Sequence, residues 1–172
     1  MRRITLLIGA GLIAAAASLI IAIVVVGCAG SNSSYSSGPN GSTVPASGSK
    51  GTAVVGVGQT SLGPALVDGN GRTLYLFEKD TNTGSTCDGE CATFWPPLVT
   101  TGKPLAGDGA LASKLGTIER TDGKTEVSYN GHPLYYYVGD TKAGDTTGQG
   151  LDLFGAEWNV LSAAGTKIEA GG

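Results

Sequence analysis

The chain has one histidine, three cysteines and few charges, with Asp, Glu, Lys and Arg making up 15% of its 172 residues. A lone histidine, His132, cannot build a blue-copper centre, which takes two His and a Cys, unless a second chain contributes. Tetrahedral zinc wants four ligands, so the same scarcity argues against a metal at the cysteines. No Cys-x-x-Cys-His for haem attachment and no Gly-x-Ser-x-Gly elbow occurs; a Ser-His-Asp triad would have to be built around His132. Lysine and arginine nowhere cluster, which makes nucleic acid and anionic headgroups poor partners. No cofactor, metal or catalytic constellation is expected, and the chain does not read as an enzyme.

What is present begins with a targeting segment, residues 1–27. Arg2 and Arg3 precede a 24-residue uncharged run from Ile4 to Gly27, longer than the h-region of an ordinary cleaved signal and long enough to span a bilayer. Its end decides the reading: Val25-Val26-Gly27-Cys28 has the aliphatic, small, small, cysteine order of a lipobox. Cys28 is therefore expected to carry a thioether-linked diacylglycerol and to become the mature N-terminus. A retained N-terminal helix is the alternative, and it gives the same topology, because basic residues before the segment and none after it until Lys50 place the body outside the cytoplasm. Two or three acyl chains, at about 0.8 kcal/mol per buried CH₂, anchor stably. Without Arg2 and Arg3 the chain holds nine basic against 14 acidic residues, a net charge of −5 that argues mainly for solubility.

Spending Cys28 on lipid leaves Cys87 and Cys91, a pair expected to form a disulfide in an oxidising compartment. Regular helix would hold Cβ atoms four residues apart too far from each other to bridge, so Gly89 should break any helix between them. Thiol redox chemistry of the Cys-x-x-Cys kind has a different spacing. Residues 28–50 after the anchor are Ser-, Gly- and Pro-rich and read as a flexible tether with a reach on the order of 25 Å.

A pattern then occurs twice, 60 residues apart. Asn70-Gly71-Arg72-Thr73-Leu74-Tyr75-Leu76-Phe77-Glu78-Lys79-Asp80-Thr81 returns as Asn130-Gly131-His132-Pro133-Leu134-Tyr135-Tyr136-Tyr137-Val138-Gly139-Asp140-Thr141, six of twelve positions being identical. Self-similarity of this kind marks one structural unit encoded twice. Asp80 also starts a run resembling a calcium loop, but Ser85 and Cys91 stand where that loop needs Gly and Glu. Gly56-Val57-Gly58 is too short for a nucleotide loop.

Both copies fit Tyr-x-aromatic-x-x-Asp. With the lipobox and a downstream Trp95-Pro96-Pro97, the chain resembles the predicted bacterial lipoproteins built from tandem secreted repeats of unknown function, over about residues 64–100 and 127–161. The resemblance implies an exported, lipid-anchored repeat protein and brings no catalytic residue with it.

Short runs of Val, Leu, Tyr and Thr between Gly, Asn and Asp predict an all-β fold of antiparallel hairpins and a meander. The expected elements are a hairpin of 65–67 with 73–77, a meander of 117–120, 124–129 and 134–138, and a closing hairpin of 158–161 with 166–168. Short helices are expected at 91–95 and 108–115. Neither unit of about 45 residues buries enough to stand alone, so residues 51–172 should form a single β domain of two repeats. Tyr75 and Phe77 share a strand face, as do Tyr135 and Tyr137. With Trp95 and Trp158 they read as core, and Asp80 and Asp140 as turn caps; a ligand groove lined by the Tyr faces is the competing reading. The functional expectation is a membrane-tethered, extracytoplasmic, non-enzymatic binding or structural module of the cell envelope, meeting an envelope protein, a wall polymer or a small ligand. The alternative is a redox accessory lipoprotein that cycles Cys87 and Cys91.

Overall fold

Leu74, Tyr75, Leu76 and Phe77 are all buried, and their side chains alternate between two different cores. A strand apolar on both faces belongs in the middle of a structure, and the fold is organised around this one. The structure, a computed structural model, describes residues 51–169; the expected signal segment, Cys28 and the tether lie outside the described residues. The strands are β1 (Val54–Thr60), β2 (Gly63–Asp68), β3 (Tyr75–Phe77), β4 (Leu105–Ala106), β5 (Leu115–Glu119), β6 (Thr125–Tyr129), β7 (His132–Pro133), β8 (Leu151–Leu153) and β9 (Ala156–Val160). Helix α1 spans Glu90–Phe94, and a single 3-10 turn spans Ala112–Lys114. The fold is all-β, in three small sheets ordered β2-β1-β4, β3-β9-β8 and β5-β6-β7.

The two repeats use the same bonds. Hairpin β1–β2 pairs Val57 with Leu66, and hairpin β5–β6 pairs Thr117 with Val127. The Leu74 amide donates to Leu66 at 3.0 Å, and the Leu134 amide to Val127 at 3.0 Å. Tyr75 and Tyr135 then exchange backbone bonds of 2.9 and 3.0 Å, so a pseudo-two-fold axis passes between them.

Each aromatic segment pairs with the tryptophan segment of the other repeat. Strand β3 lies antiparallel to β9, with Phe77 opposite Trp158 and Tyr75 opposite Val160. Reciprocally, the Val138 amide donates to Phe94 at 3.1 Å, Tyr136 to Pro96 at 2.9 Å, and the Leu98 amide to Leu134 at 2.8 Å. This corrects two expectations. The turn 68–71 forms, but the pairing of Thr73–Phe77 with β2 ends at the Val67–Thr73 bridge and the Leu74 amide to Leu66, after which the strand leaves for β9. Residues 134–138 run extended without forming a regular strand, because Pro96 and Pro97 opposite them have no N–H to donate. The meander otherwise forms, in the register Ile118 to Glu126 and Ser128 to Pro133. The closing hairpin forms through the Leu161–Lys167 bridge and the Ile168 amide to Val160, 2.8 Å.

Of the two expected helices, α1 is present over nearly the residues anticipated, whereas 108–115 yields only the 3-10 turn. Gly107 and Gly109 precede that turn, and the Gly107 amide is committed to Val55 at 2.8 Å, which ties the segment to β1 instead. Strand β1 itself goes unread in the sequence because Gly56 and Gly58 interrupt it. A Cβ at Gly58 would lie 2.9 Å from the Val67 side chain, so these glycines permit close approach within a sheet.

Candidate functional site

The motif residues converge on the pseudo-two-fold axis. Tyr75, Trp95, Tyr135 and Trp158 have no exposed surface and Phe77 is 2% exposed. Trp95 and Trp158 stack with ring centroids 3.9 Å apart and planes 3° from parallel. Phe77 stacks on the outer face of Trp158 at 4.1 Å, and half-buried Tyr137 packs against the outer face of Trp95 at 4.4 Å, its plane tilted by 31°. The result is a four-ring column, Phe77–Trp158–Trp95–Tyr137, in which every contact crosses between repeats. Tyr75 meets Trp95 edge-on at 5.3 Å and Tyr135 meets Trp158 edge-on at 5.1 Å, arrangements that suit the ring quadrupoles. Buried Gly148 makes room: a Cβ there would sit 2.7 Å from the Trp95 ring.

The carboxylates are exchanged as well. The Tyr75 hydroxyl donates to Asp140 Oδ2 at 2.7 Å, and the Tyr135 hydroxyl to Asp80 Oδ2 at 2.5 Å. The second oxygen of each Asp is held by a threonine of its own loop. Thr86 donates its amide and hydroxyl to Asp80 Oδ1 at 2.6 and 2.9 Å, and Thr147 does the same to Asp140 Oδ1 at 2.9 and 2.7 Å. Each Asp thus caps its own loop and in addition receives the other repeat's phenol. Burial raises both tyrosines above the ordinary phenol range, with the Asp140 carboxylate adding to the effect on Tyr75. Burial also raises Asp80, outweighing the hydrogen bonds from Tyr135 and Thr86 that pull it down.

Symmetry fails at the first repeat's loop. Cys87 and Cys91 are disulfide-bonded, with Cα atoms 5.2 Å apart. Gly89, at φ 58° immediately before α1, turns the chain so that only Cys91 lies on the helix. Arg120, 6% exposed, grips this loop: Nη2 donates to the Cys87 carbonyl at 2.6 Å and to Asp88 at 3.0 Å, while Nη1 donates to Ser85 at 2.7 Å and to Glu126 at 2.7 Å. Ser85 in turn meets the Tyr135 hydroxyl at 2.6 Å, so a polar chain runs from Asp80 through Tyr135, Ser85 and Arg120 to Glu126. Glu126 is fully buried, and burial pushes its carboxyl up to about 8 against the opposing pull of Arg120.

Sequence reasoning does not single out Arg120 or Glu126. The register of the two repeats holds the signal for the second: Val127 takes the place of Leu66 in accepting from the following leucine, so Glu126 takes that of core residue Ala65. Thr86 and Thr147 are equally unremarked there.

The Arg72/His132 exchange has a structural meaning. Arg72 lies 3.9 Å over the Tyr136 ring, whose hydroxyl donates to Asp68 at 3.0 Å. The residue matching Tyr136 is Leu76, so His132 has no aromatic partner in the equivalent place. His132 and Leu76 instead line an open cleft of about 420 Å³ with Glu78, Asp80, Thr166 and Lys167. Lys167 is committed there to Glu78 at 2.8 Å and Glu169 at 3.3 Å. Among the described residues no side chain hydrogen-bonds the His132 ring, and no three His, Cys, Asp or Glu side chains group as a metal site.

The profile of a family described as a secreted repeat of unknown function matches residues 56–99 and again 116–162. The chain belongs to this family. Each secreted repeat therefore starts within its hairpin, in β1 or in β5, and ends just past its tryptophan. No curated protein and no solved structure matches the chain. Secreted repeats work outside the cytoplasm, where the Cys87–Cys91 bond is at home. In this member the shared Tyr, aromatic, Asp and Trp residues face one another, with Tyr75 and Tyr135 fully buried.

Proposed function

We propose that the protein is a lipid-anchored, non-enzymatic module of the cell envelope, held at the membrane by Cys28 and presented on the 28–50 tether to an envelope protein or a wall polymer. One observation carries the non-enzymatic reading: Tyr75, Asp80, Trp95, Tyr135, Asp140 and Trp158 are committed to joining the two repeats. What the domain offers to a partner is then its surface. Phe94 and Phe154, 44% and 37% exposed with ring centroids 6.0 Å apart, stand beside exposed Val138 and Leu153. Phe154 is held outward in the β8–β9 turn at φ 61°, a conformation a bulky residue adopts at a cost. An exposed aromatic pair suits apolar side chains or sugar faces.

Two measurements test the reading. Radiolabelled palmitate should enter the wild-type chain and not Cys28→Ala, which should leave the membrane fraction. Crosslinking in intact envelopes should capture the same partner with wild type and lose it with Phe94→Ser/Phe154→Ser. Labelling of Cys28→Ala would overturn the anchor, and equal capture by the Phe variant would overturn the surface.

A further inference from the structure

The central tyrosines and tryptophans are redox-active side chains in unbroken contact. Tyr137 reaches the surface and packs against Trp95 at 4.4 Å, and Trp95 stacks on Trp158 at 3.9 Å. Tyr75 and Tyr135 touch the two indoles edge-on at 5.3 and 5.1 Å. We propose that this column is a hole-transfer relay, taking an oxidising equivalent at Tyr137 and delivering it through the paired indoles to Tyr135 and Tyr75.

The placement of bases decides where the hole comes to rest. Oxidised indoles and phenols become strong acids, and the oxidation is made permanent where a base receives the proton. The Trp95 indole N–H has no hydrogen-bond partner among the described residues, and that of Trp158 points at the Leu153 carbonyl, 3.0 Å away, which is not a base. Among the described residues neither indole N–H is bonded to a base that could take its proton. Tyr135 and Tyr75 each have a carboxylate at hydrogen-bond distance, Asp80 at 2.5 Å and Asp140 at 2.7 Å. Burial strengthens Asp80 as a base. The step is balanced. Tyr135 passes one electron through Trp158 and Trp95 to a one-electron oxidant at the surface, and its phenolic proton to Asp80. The products are a neutral tyrosyl radical, a protonated Asp80 and an oxidant reduced by one electron. Tyr75 and Asp140 perform the same step on the other side of the axis. The relay is independent of lipidation and of any envelope partner.

The test is flash-quench oxidation of the full-length protein in detergent by photogenerated tris(bipyridine)ruthenium(III), followed by transient absorption and electron paramagnetic resonance. Wild type should give a neutral tyrosyl radical that forms more slowly in deuterated buffer. Asp80→Asn/Asp140→Asn keeps an acceptor for each phenol but removes the base, and should lose most of that signal while its thermal melt shows it folded. Tyr75→Phe/Tyr135→Phe should lose it as well. An undiminished radical in the Phe variant would place it on Tyr35, Tyr129, Tyr136 or Tyr137 and overturn the relay. Should those variants fail to fold, Tyr136→Phe, which removes the other phenol paired to a carboxylate, should keep the radical and its isotope effect, and loss of either there, or absence of the effect in wild type, overturns the proposal.

Discussion

Tyr135 of the second repeat donates its phenolic hydrogen to Asp80 of the first at 2.5 Å, while Tyr75 of the first donates to Asp140 of the second at 2.7 Å. Each Tyr-x-aromatic-x-x-Asp motif is therefore completed by the other copy, although Tyr135 and Asp140 stand only five positions apart in sequence. Tyr135→Phe should cost about 1–3 kcal/mol, because it leaves a part-buried carboxylate oxygen short of a donor. In urea denaturation, a Tyr135→Phe/Asp80→Asn double-mutant cycle should show clear coupling, and a Tyr135→Phe/Asp140→Asn cycle much less. Equal coupling in both cycles would contradict the exchange.

Gly148 exists to let Trp95 and Tyr137 pack together. A Cβ there would lie 2.7 Å from the Trp95 ring and 3.0 Å from that of Tyr137. Gly148→Ala should destabilise by about 1–3 kcal/mol through overpacking and shift the tryptophan fluorescence. A melt unchanged from wild type would argue that the ring column is loosely packed.

Acid should stabilise the fold before it destroys it. Burial lifts Glu126 from 4.5 to about 8 and raises Asp80 in the same sense. The folded state then binds more protons than the unfolded chain between these limits, so stability rises as pH falls from about 8 towards 4.5. Charged and titratable groups facing Glu126 are Arg120, Asp80, Asp122 and Tyr135. Asp122, held down by the Lys124 hydrogen bond, acts oppositely: its contribution is present at neutral pH and is lost once pH falls below the ordinary carboxylate range. Urea midpoints measured from pH 8 to pH 5 should increase, and Glu126→Gln should flatten most of the slope.

Arg120 and the disulfide should prove coupled. The Cys87–Cys91 bond closes a short loop worth about 2 kcal/mol by chain entropy, and both sulfurs are buried. Arg120→Ala takes the donor from Glu126 and from the Cys87 carbonyl, at about 1–3 kcal/mol for each buried acceptor left unsatisfied. Dithiothreitol should reduce wild type only slowly, at the pace of loop opening, and Arg120→Ala much faster. Fast reduction of both would revive a redox role for the pair.

The sequence carried much of this fold in local signals. Asp-Gly and Asn-Gly dipeptides marked the turns, Tyr75/Phe77 parity marked a shared face, and the 60-residue repeat marked the duplicated unit. Legibility stopped where partners are distant. Nothing around Tyr75 announces that its strand pairs with β9, more than 80 residues later, or that Pro96 and Pro97 strip the donors opposite 134–138. Arg120 and Glu126 stayed hidden for the same reason. An isolated charge in a strand ordinarily faces solvent, and only assembly brings Ser85 and the Cys87 carbonyl to it.

The cross-repeat pairing also sets how the protein is made. A chain threaded outward from its N-terminus delivers β3 long before β9, and Trp95 long before Tyr137. The first repeat must wait with its apolar rings uncovered until Trp158 emerges, since pairings so distant in sequence form late. During that interval it is open to extracytoplasmic chaperones and proteases. A product truncated before Trp158 should accordingly be cleared rather than accumulate as a half-domain.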